Sequence, residues 1–324
     1  MKKRSARAVK SRRVEEEQTE YLPELQAEAF TEPSGRRREV AAIFLDEGQV
    51  RQRPAIIPRR AGKRIAFGWY GGKYSHLDWL LPLLPACHHY CEPFSGSAAV
   101  LLNRPPAPVE TYNDIDGEVV NFFRVLREQP RKLMDALRLT PFSREEFFWS
   151  LDPTLQDNSL ERARKFFIRA RQTRTGLAQT ATLGRWANCK NTSRAGMSGV
   201  VSRWLGGVEG LEVVAQRFIT VQIENRPAVE VIRLYDDKQT LFYCDPPYLH
   251  ETRGDAKAYG FEMSEREHRL LARELNACKG RVALSGYRHS LMDDLFKGWR
   301  RFDAPAKVCH SVKQMRQECV WMNY

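Results

Sequence analysis

Asp245-Pro246-Pro247-Tyr248 closes an apolar run, LFYC, and gathers a carboxylate, two ring-locked residues and a phenol within four positions. Proline fixes φ and carries no backbone N–H. The loop is therefore stiff, and its carbonyls stay free to accept. Asp245 can accept a hydrogen bond from an amino group, the Pro246 carbonyl can accept a second, and Tyr248 offers a ring for stacking. Together they suit a planar molecule bearing an exocyclic NH2, such as a nucleobase. The plainer alternative is a proline-rich turn that only ends a strand. The acid and the ring on either side of the prolines favour chemistry.

Two further groups carry chemical information. In EPFSGSAAVLLN (92–103), small residues between a strand and a helix let a ligand approach the backbone closely. Asp114, in YNDID, lies eighteen residues beyond Gly96. In dinucleotide-type folds an acid at about that distance binds ribose hydroxyls. Upstream, FGWYGGKYSHL (67–77) tempts a phosphate-loop reading that fails. Phe67 stands where the first glycine is required, and Tyr74 replaces the magnesium-holding Ser/Thr. An aromatic, a Gly-Gly turn and Lys73 fit an adenosine-like group instead. CHHYC (87–91) has no second ligand pair at zinc spacing, so packing is favoured over metal. Cys309-His310 is equally isolated, and Cys244 precedes the acid on an expected buried strand.

These residues need a scaffold. HHYCEPF, VETYND, TLFYC and RVALSGY read as strands; SAAVLLN, GEVVNFFRVLRE and SEREHRLLARELNAC read as helices, the last with a Ser264/Glu267 capping box. The C-terminal VCHSVKQMRQECVWMNY reads as a closing hairpin. Strands alternating with helices predict an α/β domain with a largely parallel sheet. Ordered structure is expected from about Arg64. Residues 1–60, with basic clusters and little apolar periodicity, read as a disordered extension with short helices near YLPELQAEAF.

The stretch 141–235 breaks the pattern. From Arg162 to Arg203 there are ten Lys or Arg and no Asp or Glu. A solvated face usually mixes signs, so a nucleic-acid surface is expected here. Arg171, Arg174, Arg185, Lys190, Arg194 and Arg203 are its candidate contacts. The whole chain of 324 residues carries a formal charge of +12, in keeping with a polyanionic partner. No run of 18 apolar residues suggests a membrane span, and seven scattered cysteines fit a reducing cytoplasm better than a disulfide framework.

The ordered set WYGGK, EPFSGSAAVLLN, NDIDGEVVNFFRVL, a basic insert, FYCDPPY and a closing MRQECVWMNY resembles the Dam-type DNA adenine-N6 methyltransferases over about residues 64–324. The resemblance implies a Rossmann-like methyltransferase sheet formed by 61–140 and 236–324, with 141–235 inserted as a mainly helical target-recognition domain. It implies S-adenosylmethionine as methyl donor, with no metal. Trp69 and Lys73 fall on the family's first cofactor motif, Phe94 and Gly96 on its FxG turn, Asp114 and Ile115 on its ribose and adenine contacts. Asp245 falls on the first residue of the catalytic tetrad completed by Pro246, Pro247 and Tyr248. Ala98 stands where the family often has a second glycine, and only slight adjustment is expected from it. The implied partner is double-stranded DNA, with a cognate restriction endonuclease where the enzyme belongs to such a pair. A monomer suffices chemically. The implied setting is the cytoplasm, at a bacterial nucleoid or in a phage-infected host. The pocket chemistry leaves open an amino methyltransferase acting on cytosine N4, RNA or a protein amide; an inactive DNA-binding relative is a further alternative.

Overall fold

In a computed structural model, the described residues are 62–152, 157–174, 185–194, 196–249, 261–305 and 317–324. They hold nine strands: β1 His89–Glu92, β2 Val109–Asn113, β3 Ser193–Arg194, β4 Met197–Ser198, β5 Gln222–Glu224, β6 Thr240–Cys244, β7 Arg281–Tyr287, β8 Arg300–Asp303 and β9 Glu318–Met322. Seven form one sheet in the order β5-β2-β1-β6-β7-β9-β8. The first five are parallel, and β9 runs antiparallel to both β7 and β8. The Rossmann-like sheet expected from the sequence is present.

Winding reverses between β1 and β6, which pair from His89↔Thr240 to Cys91↔Phe242. From β1 the chain moves outward to β2 and β5; from β6 it moves the other way to β7. In such sheets the ligand crevice opens beyond the carboxyl ends of strands at this reversal. The EPFSG and DPPY loops leave β1 and β6 at that point, side by side. Every residue of β6 is buried, as a central parallel strand covered on both faces requires.

The helices follow local rules. Asp116 caps Gly117–Glu128 by accepting from the Glu118 amide at 2.9 Å. Its Val119, Val120, Phe122, Phe123 and Leu126 are all buried. Ser264 and Glu267 make the expected capping box on Glu265–Ala277. Helices Pro130–Leu139, Arg144–Trp149, Ser159–Gln172, Gly199–Glu209 and Leu211–Phe218 form a helical layer. That layer shares its core with the sheet side: Phe122 stacks on Phe167 and Phe123 on Phe218, with centroids 5.7 and 4.4 Å apart. All described residues fall within one unit, Ile57–Tyr324.

Two expected boundaries shift. The helical layer starts at Pro130, and the stretch 222–235 returns to the sheet, because β5 pairs with β2 as its edge. The closing hairpin takes its first strand from β8, upstream of the expected segment, whose residues 306–316 lie outside the described residues. The 1–60 extension also lies outside them. No helix among the described residues is long and apolar enough to cross a membrane.

Candidate functional site

At the winding reversal lies a cavity of about 410 Å³, within the range of cofactor-sized pockets. Trp69, Lys73, Phe94, Gly96, Asp114, Ile115, Asp245 and Pro247 all line it, so residues spread over almost 180 positions meet in one space. Pro246 and Tyr248 do not; they face a far smaller void beside His268 and Ser285.

The glycine turn is built by side chains from its neighbours. Ser95 Oγ donates to the Glu92 carbonyl (2.7 Å), Tyr112 Oη to the Gly96 carbonyl (2.9 Å), and Asn113 Nδ2 to the Pro93 carbonyl (2.8 Å). Gly96 has φ +48°, and a Cβ there would lie 2.4 Å from Trp69 Nε1. Glycine is thus required twice, for its backbone conformation and for contact with the indole. Ala98 also occupies the left-handed region, at φ 56°. An alanine at this angle stores local strain of about 1 kcal/mol.

Asp114 is held by the Gly96 amide at 2.8 Å and the Asp116 amide at 2.9 Å. Burial pushes its carboxyl up to about 6, with the amides opposing the rise. Glu92, at the end of β1, is buried against the cavity and accepts from Tyr90 Oη at 2.7 Å. Burial lifts it to about 8.

The tetrad is organised around a cation. Lys73 Nζ lies 2.7 and 2.8 Å from the two Asp245 carboxylate oxygens, 3.3 Å from Glu318, and donates to the Gly71 carbonyl at 2.8 Å. Burial alone would lower the Lys73 pKa; the two carboxylates outweigh it and the net shift is upward. Burial raises Asp245, and Lys73 opposes that rise. Lys73 therefore directs its charge at the acid of the tetrad. The Tyr248 hydroxyl reaches Asp245 Oδ1 at 3.1 Å and is hydrogen-bonded to Glu318.

Tyr248 corrects an expectation. Its ring is buried, packs edge-on to Tyr287 at 4.8 Å, and has the Lys73 ammonium 5.0 Å from its centroid. It does not present a stacking face to the cavity. Phe261, which lines the cavity and is half exposed, is the aromatic at the rim.

The basic run also divides. Arg162 bonds Glu118, Arg164 bonds Glu161 and Glu146, Lys165 pairs with Asp157, and Arg169 donates to the Ser150 carbonyl. Arg171 is half-buried over the Phe167 ring and fills the space above Gly207. Arg174, Arg185, Lys190, Arg194 and Arg203 are exposed, and none has an acidic partner among the described residues. The Arg174 amide donates to the Arg185 carbonyl at 2.7 Å, Arg194 lies on β3, and Arg203 on the helix that follows β4.

Sequence reasoning missed Glu92 and Glu318. Both are ordinary residues until burial and neighbours are known; the only local hint was that each opens or closes a strand. Cys91 and Cys244 are buried, with thiols pushed well up by desolvation. No cluster of three or more metal-ligand side chains occurs among the described residues.

The model for the D12 class N6 adenine-specific DNA methyltransferases matches residues 69–317. The chain belongs to that family. It is 28% identical over 100 residues to the Type II methyltransferase M1.LlaDCHI of Lactococcus lactis subsp. cremoris, covering 29% of this chain and 34% of that protein. It is 34% identical over 71 residues to the DNA adenine methylase of Vibrio cholerae serotype O1, covering 21% of this chain and 24% of the other. The chain thus spans about a third or less of the length of these relatives. The solved rRNA methyltransferase aviRa from Streptomyces viridochromogenes aligns over 76% of this chain and 81% of its own, at a TM-score of 0.33 and 11% identity.

Proposed function

We propose that this chain is a site-specific DNA methyltransferase that places a methyl group on N6 of an adenine flipped out of double-stranded DNA. The supporting observation is that Asp245 and Asp114 face the same cavity at the winding reversal, one from the DPPY loop and one beside the glycine turn. The methyl donor is S-adenosylmethionine, whose sulfonium supplies an activated methyl group.

The residues fit that donor. Asp114 would accept from ribose hydroxyls. Phe94 and Ile115 offer apolar walls for a purine. The Gly96–Trp69 contact leaves a cradle that any Cβ would fill. Glu92 adds a buried carboxyl whose ionisation a cationic ligand would favour. At the other end, Asp245 would accept from the adenine N6–H. That contact stabilises positive charge developing on the nitrogen, as preorganised groups do elsewhere. Lys73 keeps Asp245 in position. Flipping the base out costs a few kcal/mol of unstacking, and Phe261 at the rim is the ring placed to recover part of it. The exposed Arg174, Arg185, Lys190, Arg194 and Arg203 would hold phosphates and give salt-dependent affinity. The setting that goes with this reading is a cytoplasm that holds the DNA. The Type II relative supports a restriction–modification setting, and a monomer carries every group named.

Incubation with unmethylated duplex DNA and S-adenosylmethionine, followed by nucleoside mass spectrometry, should yield N6-methyladenine. Product confined to N4-methylcytosine or to RNA, or no product, overturns the proposal.

A further inference from the structure

Methyl transfer to an amino group has a proton to dispose of. As the N6 lone pair bonds to the methyl carbon, the carbon–sulfur pair stays on sulfur, and one N6 proton must leave. Asp245 is the acceptor in reach, yet its side chain is only 17% exposed. Its open side faces the cavity, which base and donor would fill. Its other side is not closed in the same way. There the Tyr248 hydroxyl bridges Asp245 Oδ1, at 3.1 Å, and Glu318. A phenol has one proton and here sits between two carboxylates. Glu318 is itself buried at the head of β9, does not line the cavity, and lies 3.3 Å from Lys73.

Building on the methyl-transfer reading above, we propose that Glu318 is the terminal proton store of the reaction, reached from the substrate through Asp245 and Tyr248. The N6 proton passes to Asp245 Oδ1. Asp245 then gives a proton to Tyr248 Oη while the phenolic proton moves to Glu318. At the end Asp245 is a carboxylate again, Tyr248 is neutral, and Glu318 is protonated. One positive charge is lost at sulfur and one negative charge at Glu318, so the net charge of the site is unchanged. Lys73 touches both carboxylates and stays with the pair throughout. Glu318 acts through Tyr248 and is a positioning residue for the proton, not a contact of the base. The titratable groups facing the pair among the described residues are Lys73, Glu92 from β1, Tyr243 from β6, Tyr287 opposite Glu318 on β7, and Cys319 beside it.

The test is single-turnover transfer with saturating DNA and S-adenosylmethionine. Glu318→Gln keeps an acceptor for the phenol but cannot take its proton. It should slow transfer about 10- to 100-fold, with affinity for both ligands within about twofold of wild type. Glu318→Asp should recover part of the rate. Tyr248→Phe should slow transfer comparably, and Tyr248→Phe/Glu318→Gln should be no slower than either single variant, because one path is broken once. Full-speed Glu318→Gln, additive variants, or loss of both affinities in parallel with rate would each overturn the relay. Should Glu318→Gln fail to fold, Tyr248→Phe and Glu318→Asp decide. If wild type methylates no adenine, the broader proposal fails and takes the relay with it; an active wild type beside a full-speed Glu318→Gln sinks the relay alone.

Discussion

Glu92 shows how position changes the chemistry of a common side chain. Its folded value of about 8 lies above the ordinary 4.5, because burial disfavours the charge. The stability it contributes is therefore complete below about pH 4.5 and is lost as pH rises through about 8. Glu92→Gln, which still accepts from Tyr90 but cannot ionise, should match wild type near pH 5. Above pH 8 it should melt higher, by on the order of 5 °C. Calorimetry across that range checks it, and superimposable curves would show that Glu92 is not the strained acid. At this scale the sequence was legible wherever a residue type is tied to a local motif: Asp245 by its prolines, Asp114 by its distance from Gly96, Trp69 by the Gly-Gly turn. Lys73 was placed at the cofactor, yet it grips Asp245 and Glu318 from 172 residues away in one case. Glu318 was invisible, because only the β7–β9 pairing brings it beneath the tetrad.

Among the elements, the turn between β1 and its following helix is the one most tightly specified. Gly96→Ala adds a Cβ 2.4 Å from the Trp69 indole at a backbone angle that glycine favours. It should cost about 2–4 kcal/mol and lower the melting temperature, with weaker S-adenosylmethionine binding by calorimetric titration. Unchanged stability would mean that the turn relaxes without penalty. Strands with buried, β-branched or aromatic runs, such as TLFYC and RVALSGY, announced themselves. β5 (QIE) and β8 (RRFD) did not, since three or four polar-rich residues at a sheet edge show no periodicity. Their place is set by the partners they meet, and so the insert boundary and the closing hairpin came out displaced.

Across the whole molecule, the basic run from Arg162 to Arg203 divides into a paired part and an exposed part. Acids from other segments, Glu118, Glu146 and Asp157, engage the helical end of the run. The exposed remainder carries the prediction. Arg194→Ala and Arg203→Ala should each weaken DNA binding and reduce the slope of log affinity against log salt by about 1, with little change in melting temperature. Arg164→Ala should instead destabilise the fold and leave that slope alone, because it joins Thr140, Glu146 and Glu161. Anisotropy titrations over a salt series separate the two classes; equal slopes for all three variants would erase the distinction.

Trp69 belongs to two territories. Its indole forms one wall of the cavity, and its ring centre lies 6.4 Å from that of Phe166, on the helix that runs from Ser159 to Gln172. If donor binding stiffens the indole and that helix with it, less ordering entropy remains to be lost by whatever the helix supports. Linkage would then give the duplex the same influence on the donor. Methyl donor and DNA would thereby be coupled through one aromatic contact as well as across the cavity they share.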